Sequence, residues 1–154
     1  MGYQFRYQDL NGKRIPVALE PDSNYPVAQM IWRLALEGCP MRRISTELSS
    51  QGIPAPKGGA YWNPSTVARI LKNPVYGGRY YSLRETAIIP VQRRKVDSYR
   101  SSAQPLPFDD WHWLEDFPVM SPVVSWGDWE TVQRRLARNK TDAARNAKRP
   151  YWLR

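Results

Sequence analysis

A short helical pattern near the middle of the chain, PSTVARILKN at residues 64–73, carries side chains that can form hydrogen bonds with DNA bases. At about 100° per residue, its apolar side chains fall on one side and its polar and basic side chains lie nearly opposite. Arginine can pair with guanine, asparagine with adenine, and serine or threonine with bases or phosphates. An ordinary surface helix can show the same polar side, with serine and threonine satisfying first-turn amides. The candidate base-contacting residues are Ser65, Thr66, Arg69 and Asn73.

Basic residues on both sides of this helix are candidates for contacts with the DNA backbone. The preceding loop, GIPAPKGGAYW, combines Lys57 with two glycines, Gly58 and Gly59, whose backbone can approach a phosphate closely and offer amide donors. Two arginines lie in the first turn of an earlier predicted helix. The positive end of the helix dipole is unfavourable for cations there, and a bound anion such as phosphate would offset this repulsion. The phosphate candidates outside the loop are Arg42, Arg43, Lys72, Arg79 and Arg84.

The distribution of charge favours a polyanionic partner such as nucleic acid. The chain of 154 residues has 23 Lys and Arg against 14 Asp and Glu, a net charge of +9. Residues 38–84 contain seven basic side chains and one acid, whereas residues 109–130 contain six acids and neither Lys nor Arg. This polarity would turn one side of the protein toward phosphates and the other side away.

The elements before the 64–73 pattern are predicted to be a β-hairpin and two short helices. Apolar residues alternate on either side of Asn11-Gly12, a dipeptide typical of a tight hairpin turn. Helical spacing then predicts a helix over residues 25–37 and a second that ends at Gly52. Asn63 is a suitable N-cap for the third helix, with Pro64 at its first position.

The elements after the third helix are predicted to be a small antiparallel sheet and a closing helix. VYGGRYYSL and AIIPVQRRKV have strand character, DWHWLEDFPVM is expected to pair back on them, and residues 92–107 are expected to form a mobile loop. Ser125 and Asp128 have the spacing of a capping box that begins the last helix. The fold class is therefore α+β, with an N-terminal β-hairpin, a helix-turn-helix-like three-helix core, a small antiparallel sheet and a C-terminal helix.

Catalytic and metal-binding chemistry find little support in the sequence. Cys39 and His112 are the sole cysteine and histidine, too few for the usual zinc ligand sets, so neither a metal nor a cofactor is expected. The serines lack nearby His and Asp partners in a nucleophile-like setting. Apolar runs are too short to span a bilayer, and the N-terminus lacks the layout of a signal peptide. A reducing cytoplasmic location is therefore predicted.

The stretch from Gly38 to Tyr81 resembles the recombinase domain of large serine recombinases, the integrases and transposases that join the attachment sites of phages or mobile elements. The residues that carry the resemblance are a short helix, the loop GIPAPKGGAYW and the following STVARILKNPVYGG. GYQFRYQDLNGKRIPVALEPD looks like the opening segment of that domain around a Gly-Tyr pair, and PVVSWGDWETVQRRLARNK looks like its closing helix. The resemblance thus covers nearly the whole chain.

In that family a catalytic domain with a nucleophilic serine precedes this domain, and a zinc-ribbon domain follows a segment like KRPYWLR. The resemblance implies that residues 1–140 are a recombinase-type DNA-binding domain and that residues 141–154 are a polar, basic linker toward a zinc ribbon. The chain would be an excised module or a natural fragment, monomeric and inactive alone, whose parent assembles as a dimer or tetramer in a bacterial cell. It would read one attachment-site half-site in double-stranded DNA.

The rival hypothesis is a basic module that binds RNA or another protein through exposed aromatic side chains and its basic tail. Recognition of single-stranded RNA requires aromatic rings on an open surface. Salt dependence distinguishes the two hypotheses, because a duplex-binding domain loses affinity steeply as salt rises, with a slope of roughly 0.9 per phosphate contact.

Overall fold

The computed structural model describes residues 1–56, 58–88 and 102–142, and it confirms the α+β class. The strands are β1 (Tyr3–Leu10), β2 (Lys13–Pro21), β3 (Tyr81–Ser82), β4 (Glu85–Ile88), β5 (Ser102–Pro105) and β6 (His112–Trp113). The helices are α1 (Tyr25–Leu36), α2 (Met41–Ser50), α3 (Pro64–Lys72) and α4 (Trp126–Asp142), with 3-10 turns at Pro74–Gly77 and Phe108–Asp110.

The predicted N-terminal hairpin is present, with β1 antiparallel to β2. Its turn is made by Asn11 and Gly12, whose φ angles of 52° and 75° are the left-handed values that a tight hairpin turn of this type needs. The pairing shifts by one residue between Arg6 and Tyr7, which bends the ribbon as a β-bulge does. The base of the hairpin is held by Leu19, whose amide donates to the Pro118 carbonyl (3.0 Å).

The hydrophobic core lies among the four helices, and it confirms the apolar side predicted for the third helix. Each helix contributes side chains that are at most 7% exposed, so the helices pack around a continuous apolar interior. The core residues are Ala28, Ile31, Trp32 and Ala35 of α1, Ile44 and Leu48 of α2, Val67, Ile70 and Leu71 of α3, and Trp129 and Val132 of α4.

Helix α4 joins the other elements through side-chain donors as well as through packing. Arg135 Nη1 donates to the carbonyl of Ala35, and Gln133 Nε2 donates to the carbonyl of Leu71 (2.7 Å), so α4 satisfies carbonyls at the ends of α1 and α3. Such terminal carbonyls have no partner within their own helix. Helix α4 therefore closes the helical unit and fixes where α1 and α3 end.

The first segment predicted to be a strand, VYGGRYYSL, is only partly one. Its opening residues form the 3-10 turn Pro74–Gly77, and extended pairing begins at Tyr81. Pro74 fixes a turn-compatible φ, and the Asn73 side chain accepts from the amide of Val75 (3.4 Å), which stabilises the turn. The prediction of a strand was therefore wrong for residues 75–80.

The predicted small antiparallel sheet takes the form of two short ladders. DWHWLEDFPVM supplies β6, which pairs with β3, and β4 pairs with β5. Strand β5 lies at residues 102–105, so this part of the expected loop is a strand; residues 92–101 lie outside the described residues. The strand character that AIIPVQRRKV suggests can be compared only at residues 87–88, which end β4.

Two tyrosines, the buried Tyr76 and the partly buried Tyr3, anchor the N-terminal segment. The Tyr76 hydroxyl donates to the carbonyl of Met1 (2.7 Å), and the Tyr3 hydroxyl donates to the carbonyl of Ser121 (2.8 Å). Burial, together with the charge of Asp22, raises the pKa of Tyr76 to about 12. Burial, with the neighbouring Tyr25 and Tyr76, also raises the pKa of Tyr3 well above its usual range.

The raised pKa of Tyr76 predicts a loss of stability at high pH. The stabilising contribution is complete below pH 10.0 and is lost as pH rises to about 12, because the unfolded chain then releases a proton that the folded chain retains. A shift of this size corresponds to roughly 2–3 kcal/mol of unfolding free energy. Tyr76→Phe should flatten this part of the profile in denaturant titrations between pH 8 and 12. Parallel profiles for the two proteins would contradict the prediction.

Gly77 has no room for a side chain, and this predicts a specific packing defect. A Cβ there would lie 3.0 Å from Trp126 Cε3 and 3.1 Å from Trp129 Cβ. Gly77→Ala should therefore lower the unfolding free energy by about 1–3 kcal/mol through overpacking. The matched control is Gly59→Ala, whose Cβ would meet its nearest atom, Tyr61 O, at 4.0 Å. Equal denaturant midpoints for the two variants would contradict the prediction, because they would show that α4 can move away from the added methyl group without loss of stability.

Candidate nucleic-acid interface

The start of α3 is set by Asn63, as the sequence predicts. Its side-chain oxygen accepts hydrogen bonds from the Ser65 amide and from the Ser65 hydroxyl, both at 2.9 Å. Pro64 occupies the first helical position, where its missing N–H costs nothing and its fixed φ suits a helix. The cap fixes the orientation of the first turn, from which Ser65 and Thr66 project.

The polar side of α3 is presented to solvent opposite a buried apolar side. Ser65, Arg69 and Lys72 are exposed and Thr66 is partly buried. Within residues 1–56, 58–88 and 102–142, neither Arg69 nor Lys72 takes part in an ion pair. These two cations are therefore available to an external anion or to a base edge.

Two of the four base-contact candidates already form hydrogen bonds within the protein. The Ser65 hydroxyl donates to Asn63, which leaves its oxygen lone pairs to accept. Asn73 uses its side-chain oxygen to accept from the amide of Val75, so bidentate pairing with adenine would share this oxygen with the turn that follows α3. The geometry thus favours Arg69 and Thr66 over Asn73 for base contacts.

The Gly/Pro-rich loop before α3 is anchored by Trp62, which is 5% exposed, as expected for a core residue. The Trp62 amide donates to the Ser49 hydroxyl (2.9 Å), and its indole donates to the Ile53 carbonyl (2.8 Å). These two bonds fix the loop against α2 and place the beginning of α3 beside it.

The amide of Gly58 is not the free phosphate donor that the sequence suggests. It donates to the Ala55 carbonyl (2.8 Å), and the Ala55 amide donates to the Gly59 carbonyl (2.9 Å), so the loop closes on itself. Gly58 has a φ of 79°, the left-handed conformation that favours glycine, and this explains the residue type. Lys57 lies outside the described residues.

Arg42 and Arg43 are exposed in the first turn of α2. Pro40 precedes this helix and provides no side-chain cap. First-turn amides of an uncapped helix attract anions, and the two arginines add positive charge at the same place. The position is compatible with the phosphate contacts predicted for both residues.

Arg79 and Arg84 are placed on tryptophan rings, an arrangement that the sequence analysis missed. The guanidinium carbon of Arg79 lies 3.9 Å from the ring centroid of Trp126 and 4.8 Å from that of Trp113. The guanidinium carbon of Arg84 lies 5.5 Å from the ring centroid of Trp111. The number of tryptophans between residues 111 and 129 was a signal of cation–π contacts, but it could not identify the partners.

The acidic segment contributes caps rather than a cluster of ligands. The predicted capping box at the start of α4 is present: Ser125 Oγ donates to Asp128 Oδ2 (2.7 Å), and the Asp128 amide donates to Ser125 Oγ (3.1 Å). The part of the chain that the structure describes contains no group of three or more His, Cys, Asp or Glu that could hold a metal ion. The independence from cofactors remains a prediction.

None of the helices among the described residues combines the length and the apolar composition needed to cross a bilayer. An α+β unit with an exposed basic helix face is characteristic of a protein that handles nucleic acid. The family model described as Recombinase matches residues 22–139, which is most of the chain. The chain therefore belongs to the Recombinase family, and a role in DNA recombination follows from this membership. No curated protein sequence matches it significantly.

The N-cap of α3 yields a stability prediction. Asn63→Ala removes the acceptor for the Ser65 amide and hydroxyl, so the unfolding free energy should fall by about 1 kcal/mol. The control is Asn139→Ala, at an exposed position inside α4, where alanine is the better helix former and stability should rise slightly. Thermal unfolding of both variants measures the difference, and a similar melting temperature for the two would show that the cap contributes little.

Proposed function

We propose that this chain is the DNA-recognition module of a site-specific large serine recombinase, an integrase or transposase. It binds one half-site of an attachment site in double-stranded DNA by placing α3 in the major groove. Membership of the Recombinase family supports the connection with DNA, and the resemblance of the loop and α3 to large serine recombinases supports the subclass.

The observation that carries this proposal is the free polar side of α3. An α-helix fits the width of the major groove, and its outer side chains then reach the base edges. Arg69 is the principal base-reading residue, because it is exposed and without an ion-pair partner among the described residues. Thr66, Ser65 and Asn73 are its neighbours on the same side.

The backbone contacts come from basic residues on the surrounding elements, and they supply salt-dependent affinity without sequence preference. Cleavage and rejoining of DNA strands belong to a serine catalytic domain of the parent recombinase, so this chain is inactive alone and acts in the bacterial cytoplasm. The backbone-contacting residues are Arg42, Arg43, Lys57, Gly59, Lys72, Arg79 and Arg84; Gly58 is not among them, because its amide is hydrogen-bonded to the Ala55 carbonyl.

Selection of bound duplexes from a random pool tests the proposal directly. The wild-type chain should enrich one short motif, and Arg69→Ala should relax the preference at one position, because a bidentate arginine contact discriminates bases by about 1–3 kcal/mol. The matched control is Arg33→Ala. Arg33 has a side chain that is 68% exposed and pairs with Glu37 on α1, so removing the same charge there should leave the motif unchanged.

The other outcomes distinguish the rival hypotheses. Salt-sensitive duplex binding without enrichment would mean that α3 does not read the sequence. Binding of single-stranded RNA in preference to duplex DNA would favour the RNA hypothesis, for which the observation is Tyr61, 85% exposed beside α3. Absence of nucleic-acid binding at any salt concentration would favour a protein-interaction module.

A further inference from the structure

Arg79 belongs to a column of flat side chains, here called the Arg79 stack, that runs from α4 to β6. Trp126 and Trp129 are stacked with ring centroids 4.5 Å apart and an interplanar angle of 15°. Phe108 stacks on Trp129 at 5.7 Å and 27°. Arg79 is in contact with Trp126 and is also flanked by Trp113. The order along the stack is Phe108, Trp129, Trp126, Arg79 and Trp113.

Trp126, which contacts Arg79, and Trp129, which stacks on Trp126, are both held by hydrogen bonds. Trp126 Nε1 donates to Glu130 Oε1 (2.7 Å), and Trp129 Nε1 donates to the Asn73 carbonyl (3.2 Å). Gly77 packs so closely against both indoles that a Cβ would collide with them. Because Asn73 and Gly77 follow α3 directly, the stack is fixed relative to the end of α3.

The stacking leaves the hydrogen-bonding edge of Arg79 available. The guanidinium carbon lies 3.9 Å from the Trp126 centroid, and among the described residues the Arg79 side chain forms no hydrogen bond, so its N–H groups are available to an external acceptor. Among the residues that the structure describes, no carboxylate lies within ion-pair distance of Arg79, although Arg79 is partly buried. A partly desolvated cation without an anion attracts one strongly.

We propose that Arg79 is a preorganised phosphate-binding residue, and that Trp126 and Trp113 are positioning residues that orient its guanidinium edge toward a phosphodiester of duplex DNA. This inference rests on the proposed function and deepens it. The fixed fork binds two phosphate oxygens together, and it does so at a set distance from the end of α3. Arg79 thereby fixes the register of α3 on the duplex, which a freely rotating surface lysine cannot do.

The stacking distinguishes Arg79 from an ordinary basic residue in one experiment. Equilibrium titrations with the duplex that the chain prefers are performed over a series of salt concentrations for wild type, Arg79→Lys and Arg79→Ala. Arg79→Lys keeps the charge but loses the planar fork, so affinity should fall at least about tenfold. Arg79→Ala should also reduce the magnitude of the slope of log affinity against log salt concentration, here called the salt slope, by roughly 0.9. The matched control is Arg33→Lys, at an exposed position outside the proposed DNA-contacting residues, which should change affinity less than about twofold.

The positioning role requires a variant that leaves Arg79 in place. Trp113 is 40% exposed, so Trp113→Leu should fold, lower the affinity severalfold and leave the salt slope unchanged, because the charge is still present but is no longer oriented. Trp113→Phe should restore most of the affinity, since an aromatic face is retained. A Trp113→Leu protein that binds as tightly as wild type would overturn the positioning role.

A titration of the labelled chain with inorganic phosphate separates failure of this inference from failure of the proposed function. The Nε–Hε resonance of Arg79 should shift saturably, and the shift should weaken in Trp113→Leu. If the wild type binds duplex but Arg79→Lys behaves like Arg33→Lys, the inference alone is overturned. If the wild type binds no duplex while the Arg79 resonance shifts with phosphate, the proposed function fails and the phosphate site stands. If neither occurs, both are overturned.

Discussion

The packing of Trp126 and Trp129 against Gly77 is the contact on which the rest of this structure depends. At this point the backbone leaving α3 passes under two indole rings with no space for a side chain. The same pair of rings holds the end of α3, where Trp129 donates to the Asn73 carbonyl, and Trp126 supports Arg79. Although the chain contains many Gly and Pro residues in its loops, the junction between α3 and α4 is rigid, because close packing permits few alternative arrangements.

This junction explains why α3 can present a polar side without losing stability. A nine-residue helix is marginal in isolation, and its stability comes from tertiary packing of its apolar face. The Asn63 cap satisfies its first turn, while Gln133 and Trp129 of α4 satisfy carbonyls at its other end. Since both ends are held by the protein, the exposed side chains of α3 are not needed for folding and remain available to a ligand.

The division of roles among the cations follows from their surroundings. Arg69 and Lys72 project from a helix into solvent, where they can adapt to bases or phosphates. Arg79 and Arg84 lie over indole rings, at 3.9 Å from Trp126 and 5.5 Å from Trp111, and these contacts restrict the motion of their guanidinium groups. A DNA-binding surface that has both kinds of cation can form adaptable contacts and fixed contacts. The fixed contacts to phosphates set the register of the protein on the duplex, and all of the contacts add affinity.

Local chemistry is what the sequence by itself determined. The Asn11-Gly12 turn, the Asn63 cap, the Ser125 and Asp128 capping box and the apolar side of α3 depend on residues at most a few positions apart, so periodicity and capping rules identify them. The family resemblance rested mainly on the contiguous stretch from Gly38 to Tyr81, so it too was recognisable from the sequence alone.

Contacts between distant parts of the chain were decided only by the tertiary structure. Arg79 meets Trp126 across 47 positions, and no local pattern connects them. The Gly58 amide was assigned to DNA as a donor beside a basic helix, but it donates to the Ala55 carbonyl and closes a loop, and the Asn73 side-chain oxygen accepts from the Val75 amide and caps a turn. Backbone and capping groups must be satisfied before any ligand arrives, and only the full set of contacts shows which donors remain free.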